Sequence, residues 1–180
     1  MNYYVIQVKT GGEEKYIRSA NRALSEVEIP VTLIWPRRRL GIRKKGKTAD
    51  SLAPIFPGYV FVEAESITHE VYWALRRSIG FFTFLRNNHD VRALSGEDRQ
   101  LLLHFLRIGE VVEKSTVYFD ENNRIRVTDG ALKDLEGRIV KVDRRKKRAK
   151  VRLTLYEESF LVDFGFEIME LVKRDESDEK

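Results

Sequence analysis

The sequence predicts an α+β fold, a sandwich of one antiparallel sheet and three helices followed by a small β-barrel, on three observations. Apolar residues recur at helical spacing in three stretches before residue 110, short β-rich runs separate those stretches, and beyond residue 124 only short strand candidates remain. Tyr3 to Val8 is the first strand, broken by Thr10-Gly11-Gly12. Ile17, Ala20, Leu24 and Val27 then share one helical face while Glu14, Arg18, Arg22 and Glu26 share the other, and Pro30 ends the helix. Val31 to Trp35 is a second strand, running into the basic stretch Arg37 to Lys47, a loop or hairpin. Phe56-Pro57-Gly58 turns the chain into a third strand, Tyr59 to Glu63, which is apolar on both faces and so expected to be covered on both. Thr68 is placed to cap a short helix through Val71, Trp73 and Leu75, and Gly80 introduces the strand Phe81 to Leu85. Ser95, with Glu97 and Asp98 behind it, sits at the N-cap position of a third helix carrying Leu101, Leu102, Phe105 and Leu106 and closed by Arg107 and Gly109.

Residues 111–123 read as a linker, polar at Glu113-Lys114-Ser115 and again from Asp120 to Asn123, with Val117, Tyr118 and Phe119 restricting its motion. The barrel, residues 124–172, is expected from the runs Arg124 to Val127, Arg138 to Asp143, Ala149 to Leu155, Ser159 to Phe164 and Glu167 to Leu171, with Asp129-Gly130 and Gly137 between them. Val151, Leu153 and Leu155 alternate with Lys150, Arg152 and Thr154, a period of two that predicts a permanent barrel rather than a segment that refolds to helix. Residues 173–180 are expected to be a disordered charged tail, which leaves residues 1–110 as the first domain.

Composition narrows the function classes. The 180 residues carry a net charge of +5, with the basic residues clustered, which favours a polyanionic partner. There is no cysteine, so disulfides, thiol nucleophiles and cysteine-type zinc sites are excluded. No run of about 18 apolar residues occurs, and a cytoplasmic protein with no membrane partner is expected. His69, His89 and His104 lack ligand spacing with carboxylates, and neither a phosphate-binding glycine loop nor a nucleophile motif is present. The expectation is a non-enzyme without metal or cofactor, working as a monomer.

The aromatic opening strand Tyr3-Tyr4-Val5-Ile6-Gln7-Val8, the turn Phe56-Pro57-Gly58-Tyr59, and the later run Arg126-Val127-Thr128-Asp129-Gly130, Asp134-Leu135-Glu136-Gly137, Val140-Lys141-Val142-Asp143 together resemble the NusG family of transcription elongation factors. The resemblance spans the whole chain and implies an N-terminal NGN domain and a C-terminal KOW domain, the latter an SH3-like barrel. It implies a partner, RNA polymerase, whose clamp helices would be gripped by Tyr3, Val5, Phe56, Pro57, Tyr59 and Leu102. Aromatic anchors at a proline-stiffened turn suit such a role because they lose little entropy on binding, although the same residues also suit a core. It further implies contact with the non-template DNA strand, for which Lys9, Arg22, Arg76 and Arg77 are the candidate phosphate ligands, or else a solvated face.

Two features depart from the general family pattern. Where relatives carry a Phe-Gly-Arg turn used for ribosomal protein S10 and Rho, this chain has Leu155-Tyr156-Glu157-Glu158-Ser159-Phe160, so coupling to those partners is not expected. The knuckle Arg144, Arg145, Lys146, Lys147, Arg148 and Lys150 resembles the RNA-binding barrel of specialised paralogues of the LoaP type, antiterminators that recognise a hairpin in nascent RNA. A solvated β-turn is the other reading of that run. Three functions therefore stand: a processive antiterminator that suppresses pausing, a general NusG factor coupling polymerase to Rho or the ribosome, and a ribosome-associated KOW RNA-binding protein.

Overall fold

Apolar residues on both sides of the opening strand make it the natural centre of a sheet. The computed structural model, which describes residues 1–44 and 46–169, places it there. The chain runs β1 (Asn2–Val8), α1 (Glu13–Leu24), β2 (Thr32–Ile34), β3 (Arg37–Lys44), β4 (Lys47–Pro54), β5 (Tyr59–Ala64), α2 (His69–Arg76), β6 (Phe81–Phe84), α3 (Gly96–Leu106), β7 (Val111–Val112), β8 (Ser115–Phe119), β9 (Ile125–Asp129), β10 (Ile139–Asp143), β11 (Arg148–Leu155) and β12 (Glu158–Ile168). The first sheet is antiparallel in the order β2-β5-β1-β6, with Tyr3 opposite Glu63 and Val5 opposite Phe61.

That register sorts the side chains to two faces. Tyr4, Ile6, Val8, Val60 and Val62 point to the face covered by α1 and α2, where Tyr16 is fully buried and its hydroxyl donates to the Leu75 carbonyl at 3.2 Å. The buried stripe of α1 is Tyr16, Ala20 and Leu24, and the helix stops well before Pro30. It stops because Ser25 Oγ donates to the Arg22 carbonyl and Val27 N to the Leu24 carbonyl, a tight turn that places Val27 beyond the helix. In α2, Thr68 caps as expected, accepting from Val71 N. Ser95 occupies the N-cap position of α3 without using its side chain to cap.

The basic stretch after Trp35 is a hairpin, β3 and β4, to which β7 adds in parallel. Five strands form the barrel in the order β10-β11-β12-β8-β9. Here two expectations are corrected. The segment 111–123 is not a linker, since it holds β7 and β8, and β8 lies between β12 and β9 in the barrel. Its strand period was hidden by Ser115, a polar residue that is buried because its Oγ accepts from Leu132 N. The runs Ser159 to Phe164 and Glu167 to Leu171 are not two strands, because β12 continues from Glu158 through Gly165 to Ile168. Gly165 marks a close approach rather than a turn: a Cβ there would sit 3.1 Å from the Arg39 carbonyl oxygen of β3. Residues 170–180, which include the expected tail and the end of the last expected strand, lie outside the described residues.

Candidate functional site: a covered aromatic ledge

The Phe56-Pro57-Gly58-Tyr59 turn is built by its neighbours as much as by its own sequence. Pro57 leads into Gly58 at φ 83°, the pairing a type II turn requires, and Tyr59 N returns to the Phe56 carbonyl at 3.2 Å. Glu13, buried at the start of α1, accepts from Gly58 N at 2.7 Å, and Gly58 in turn accepts from Val8 N. The turn is thus locked to β1 and α1, which sets Phe56 and Tyr59 beside Tyr3 and Val5 on the second face of the sheet. Leu102 joins them from α3, so five of the six expected ledge residues form one apolar surface.

That surface is not exposed. Tyr3, Val5, Phe56, Tyr59 and Leu102 are all buried, and of the six only Pro57 reaches solvent. Two elements cover the ledge: α3, whose Phe105 lies 6.0 Å from Phe56 and whose Arg99 lies over the Tyr3 ring, and the barrel, which reaches Phe56 and Tyr59. Phe160 presents its ring edge-on to Phe56 and Tyr59, at centroid distances of 6.1 and 5.5 Å. Phe164 stacks on Phe105 of α3 at 5.7 Å, and the two domains share a single apolar core.

Polar contacts seal the rim. The Tyr59 hydroxyl donates to a Glu158 carboxylate oxygen at 2.7 Å, and burial first, then this hydrogen bond, pushes the phenol well above the ordinary tyrosine range. Asp98, at the start of α3, accepts from Tyr156 N at 3.2 Å. His104 meets the Ala131 carbonyl at 2.9 Å. Arg38 of β3 reaches across to donate to the Asp163 and Pro54 carbonyls while lying over the Phe164 ring. Burial pushes its guanidinium down to about 10, against the pull of Asp163. The turn Leu155 to Phe160, noted in the sequence only for the cation it lacks, is therefore the clasp: Tyr156, Glu158 and Phe160 all contact the first domain. Phe160 was legible as an aromatic on an alternating strand, but nothing local says that its partner is a sheet 100 residues earlier.

The cationic candidates fall in four places. Lys9 precedes α1 and Arg22 lies in its last turn, so about 13 residues of mostly helix, on the order of 20 Å, separate them. Arg76 and Arg77, at the end of α2, both lie over the Trp73 ring, each 5.2 Å from its centroid, and Lys9, Arg22, Arg76 and Arg77 are all exposed. In the β10–β11 knuckle Asp143 accepts from Lys146 N at 2.9 Å, Lys147 takes φ 51°, and the Arg144 guanidinium rests 3.6 Å over Phe119. Arg145, Lys146 and Lys147 project into solvent. Arg148 and Lys150 instead turn inward, to Asp163 at 3.8 and 3.5 Å. Among the described residues no cluster of potential metal ligands occurs, and no described helix is long and apolar enough to cross a membrane.

Fold and site define a two-domain α+β protein in which an SH3-like barrel closes over an aromatic sheet face. A family model described as transcription termination factor NusG matches residues 1–103, and the chain belongs to that family. Curated relatives include the transcription termination/antitermination protein NusG of Xylella fastidiosa, 22% identical over 91% of this chain and 95% of that protein. That of Buchnera aphidicola subsp. Baizongia pistaciae is 28% identical over 91% of this chain and 92% of that protein. Among solved structures, Thermotoga maritima NusG, described for its domain interaction, superimposes with a TM-score of 0.57 at 20% identity, covering 91% of this chain and 93% of that one.

Proposed function

We propose that this protein is a polymerase-binding elongation factor whose gripping surface is the aromatic ledge and whose closed form, with the barrel seated, is its resting form. The single observation that carries this reading is the kind of lid the ledge has. Its other sheet face is covered by α1 and α2, helices integral to the domain, whereas on this face Phe56 and Tyr59 are covered, beside α3, by a separate barrel through a rim rich in polar contacts. Such a cover can be exchanged for another apolar partner without unfolding the sheet. The clamp helices of RNA polymerase are the partner proposed, engaged by Tyr3, Val5, Phe56, Pro57, Tyr59 and Leu102.

Once bound, the factor acts by contact alone: it holds the polymerase clamp closed, suppresses pausing and promotes processive antitermination. Lys9, Arg22, Arg76 and Arg77 are assigned to phosphates of the non-template strand, Arg76 and Arg77 best supported because they are adjacent and both exposed at the end of one helix. The exposed knuckle residues Arg144, Arg145, Lys146 and Lys147 are assigned to a nascent RNA hairpin, as in a specialised paralogue of the LoaP type. Arg148 and Lys150 support the knuckle through Asp163 in the closed form.

Retention on core RNA polymerase tests the reading with two variants of opposite sign. Phe160→Ala removes the lid's main anchor and no ledge residue, so it should raise the open fraction and tighten apparent binding about tenfold. Tyr59→Ala removes a ledge anchor and should weaken binding by about 2 kcal/mol in the Phe160→Ala background. A Phe160→Ala protein that is folded, open and still not retained on polymerase ends this reading.

A further inference from the structure

A groove lies neither on the ledge nor on the knuckle alone, but between the β3–β4 hairpin of the first domain and the β10–β11 knuckle of the second. It encloses about 660 Å³. Gly41, Ile42 and Gly46 form the hairpin wall, and Arg145 to Arg148 form the opposite wall. Lys114 and Phe166 lie on its floor, and five cations line it against one carboxylate, Glu167. Lys114 is tied to Asp50 at 2.9 Å, while Arg145, Lys146 and Lys147 form no ion pair among the described residues. One hydrogen bond ties the walls together, Arg148 Nη2 donating to the Gly41 carbonyl at 2.8 Å, and Arg148 Nε, buried at the same place, has no acceptor among the described residues.

We infer that this groove is a composite binding site for the phosphate backbone of a structured RNA, present only while the barrel covers the ledge, so that RNA held in it keeps the factor closed. The inference rests on the RNA reading of the knuckle given above and gives it a second wall and a sign. A cationic floor and wall with little competing acid favours a polyanion, and the wall residues Gly41 and Gly46 let a backbone approach closely. A-form RNA suits the facing walls because the phosphates that border its deep, narrow groove can be reached from two sides by a protruding turn. Opening the domains pulls the hairpin from the knuckle, since Arg38 and Arg39 of β3 cross β12 at Asp163 and Gly165. A ligand that touches both walls therefore binds the closed form better, and by linkage it must favour closure by the same factor. RNA across both walls and polymerase on the ledge are thus antagonists, and in the open, polymerase-bound form the knuckle alone holds RNA, less tightly.

The test uses the full chain, a generic RNA stem-loop, a DNA stem-loop of the same sequence, and fluorescent labels on the two domains. Wild type should bind the RNA and show a smaller open fraction in its presence. Ile42→Glu, at an exposed hairpin position, and Phe160→Asp, which opens the domains without touching the groove, should each weaken RNA binding about tenfold. Arg145→Ala with Lys147→Ala should weaken it at least as much and make the salt slope shallower by about two. If both Ile42→Glu and Phe160→Asp bind as wild type while the double knuckle variant does not, the knuckle acts alone and the composite site is overturned, with the RNA reading left standing. Unchanged binding by the double knuckle variant overturns both. Equal affinity for the DNA stem-loop overturns the assignment to RNA.

Discussion

Tyr59 holds two positions at once, an anchor in the ledge and a donor to the lid, and the two can be separated by a single oxygen. Tyr59→Phe keeps the ring against Phe160 and loses the bond to Glu158, so closure should weaken by about 1 kcal/mol, near a fivefold rise in open fraction. Fluorescence transfer between labels on the two domains measures it. The same bond carries a pH signature. Because the phenol titrates higher in the closed form than in the open one, its contribution is complete below the ordinary tyrosine value near 10 and is lost as pH rises past it. Raising pH from about 9 to about 11 should therefore open wild type more than Tyr59→Phe. Arg38, depressed by burial to about 10, works in the opposite direction, but it is common to both proteins and drops out of their difference. Phe56 and Tyr59 were legible in the sequence as neighbours across one turn, because Pro57 and Gly58 set that turn. Glu158 was legible only as a missing cation, since a hydrogen bond 99 residues long leaves no local pattern.

At the scale of elements, the helices and the four strands of the first sheet follow from periodicity, because each buries a stripe or a face against its sequence neighbours. The errors concentrate where an element is defined by distant partners. β8 was concealed by Ser115, a polar residue buried under a hydrogen bond from Leu132 N and closely approached by Gly130, and β12 was cut in two at Gly165, where β3 comes too close for an ordinary side chain. Both places are sensitive to a single methyl. At Gly130, φ 94° and a virtual Cβ 2.7 Å from Ser115 Cα leave no room beside β8, so Gly130→Ala should destabilise the barrel by more than about 2 kcal/mol, read as a lowered Tm. At Gly165 the contact is with Lys114 Cγ at 3.0 Å and the Arg39 carbonyl at 3.1 Å. Gly165→Ala should spare the barrel and push β3 away, so its effect belongs in the open fraction and not in Tm. A Tm loss at Gly165 comparable to that at Gly130 would show that the hairpin crossing is part of the barrel's own stability.

For the whole molecule, the proposed function makes recruitment a population problem: with the covered ledge as the gripping surface, apparent affinity for polymerase is the open form's affinity scaled by the fraction that is open. A protein whose lid cannot leave should then fail completely, whatever its ledge residues. The absence of cysteine lets that be tested with one engineered pair, Asp98→Cys and Tyr156→Cys, at the rim where the Asp98 carboxylate lies 3.2 Å from Tyr156 N. Joined by a short, cleavable thiol cross-linker, this pair should abolish retention on core polymerase and terminator readthrough together, and cleavage of the linker should restore both. The unlinked double variant should bind at least as well as wild type, because it has lost a closing contact and no ledge residue. If the linked protein binds polymerase normally, the ledge is not the gripping surface, and the shared apolar core is simply the core of one rigid protein whose partners meet it elsewhere.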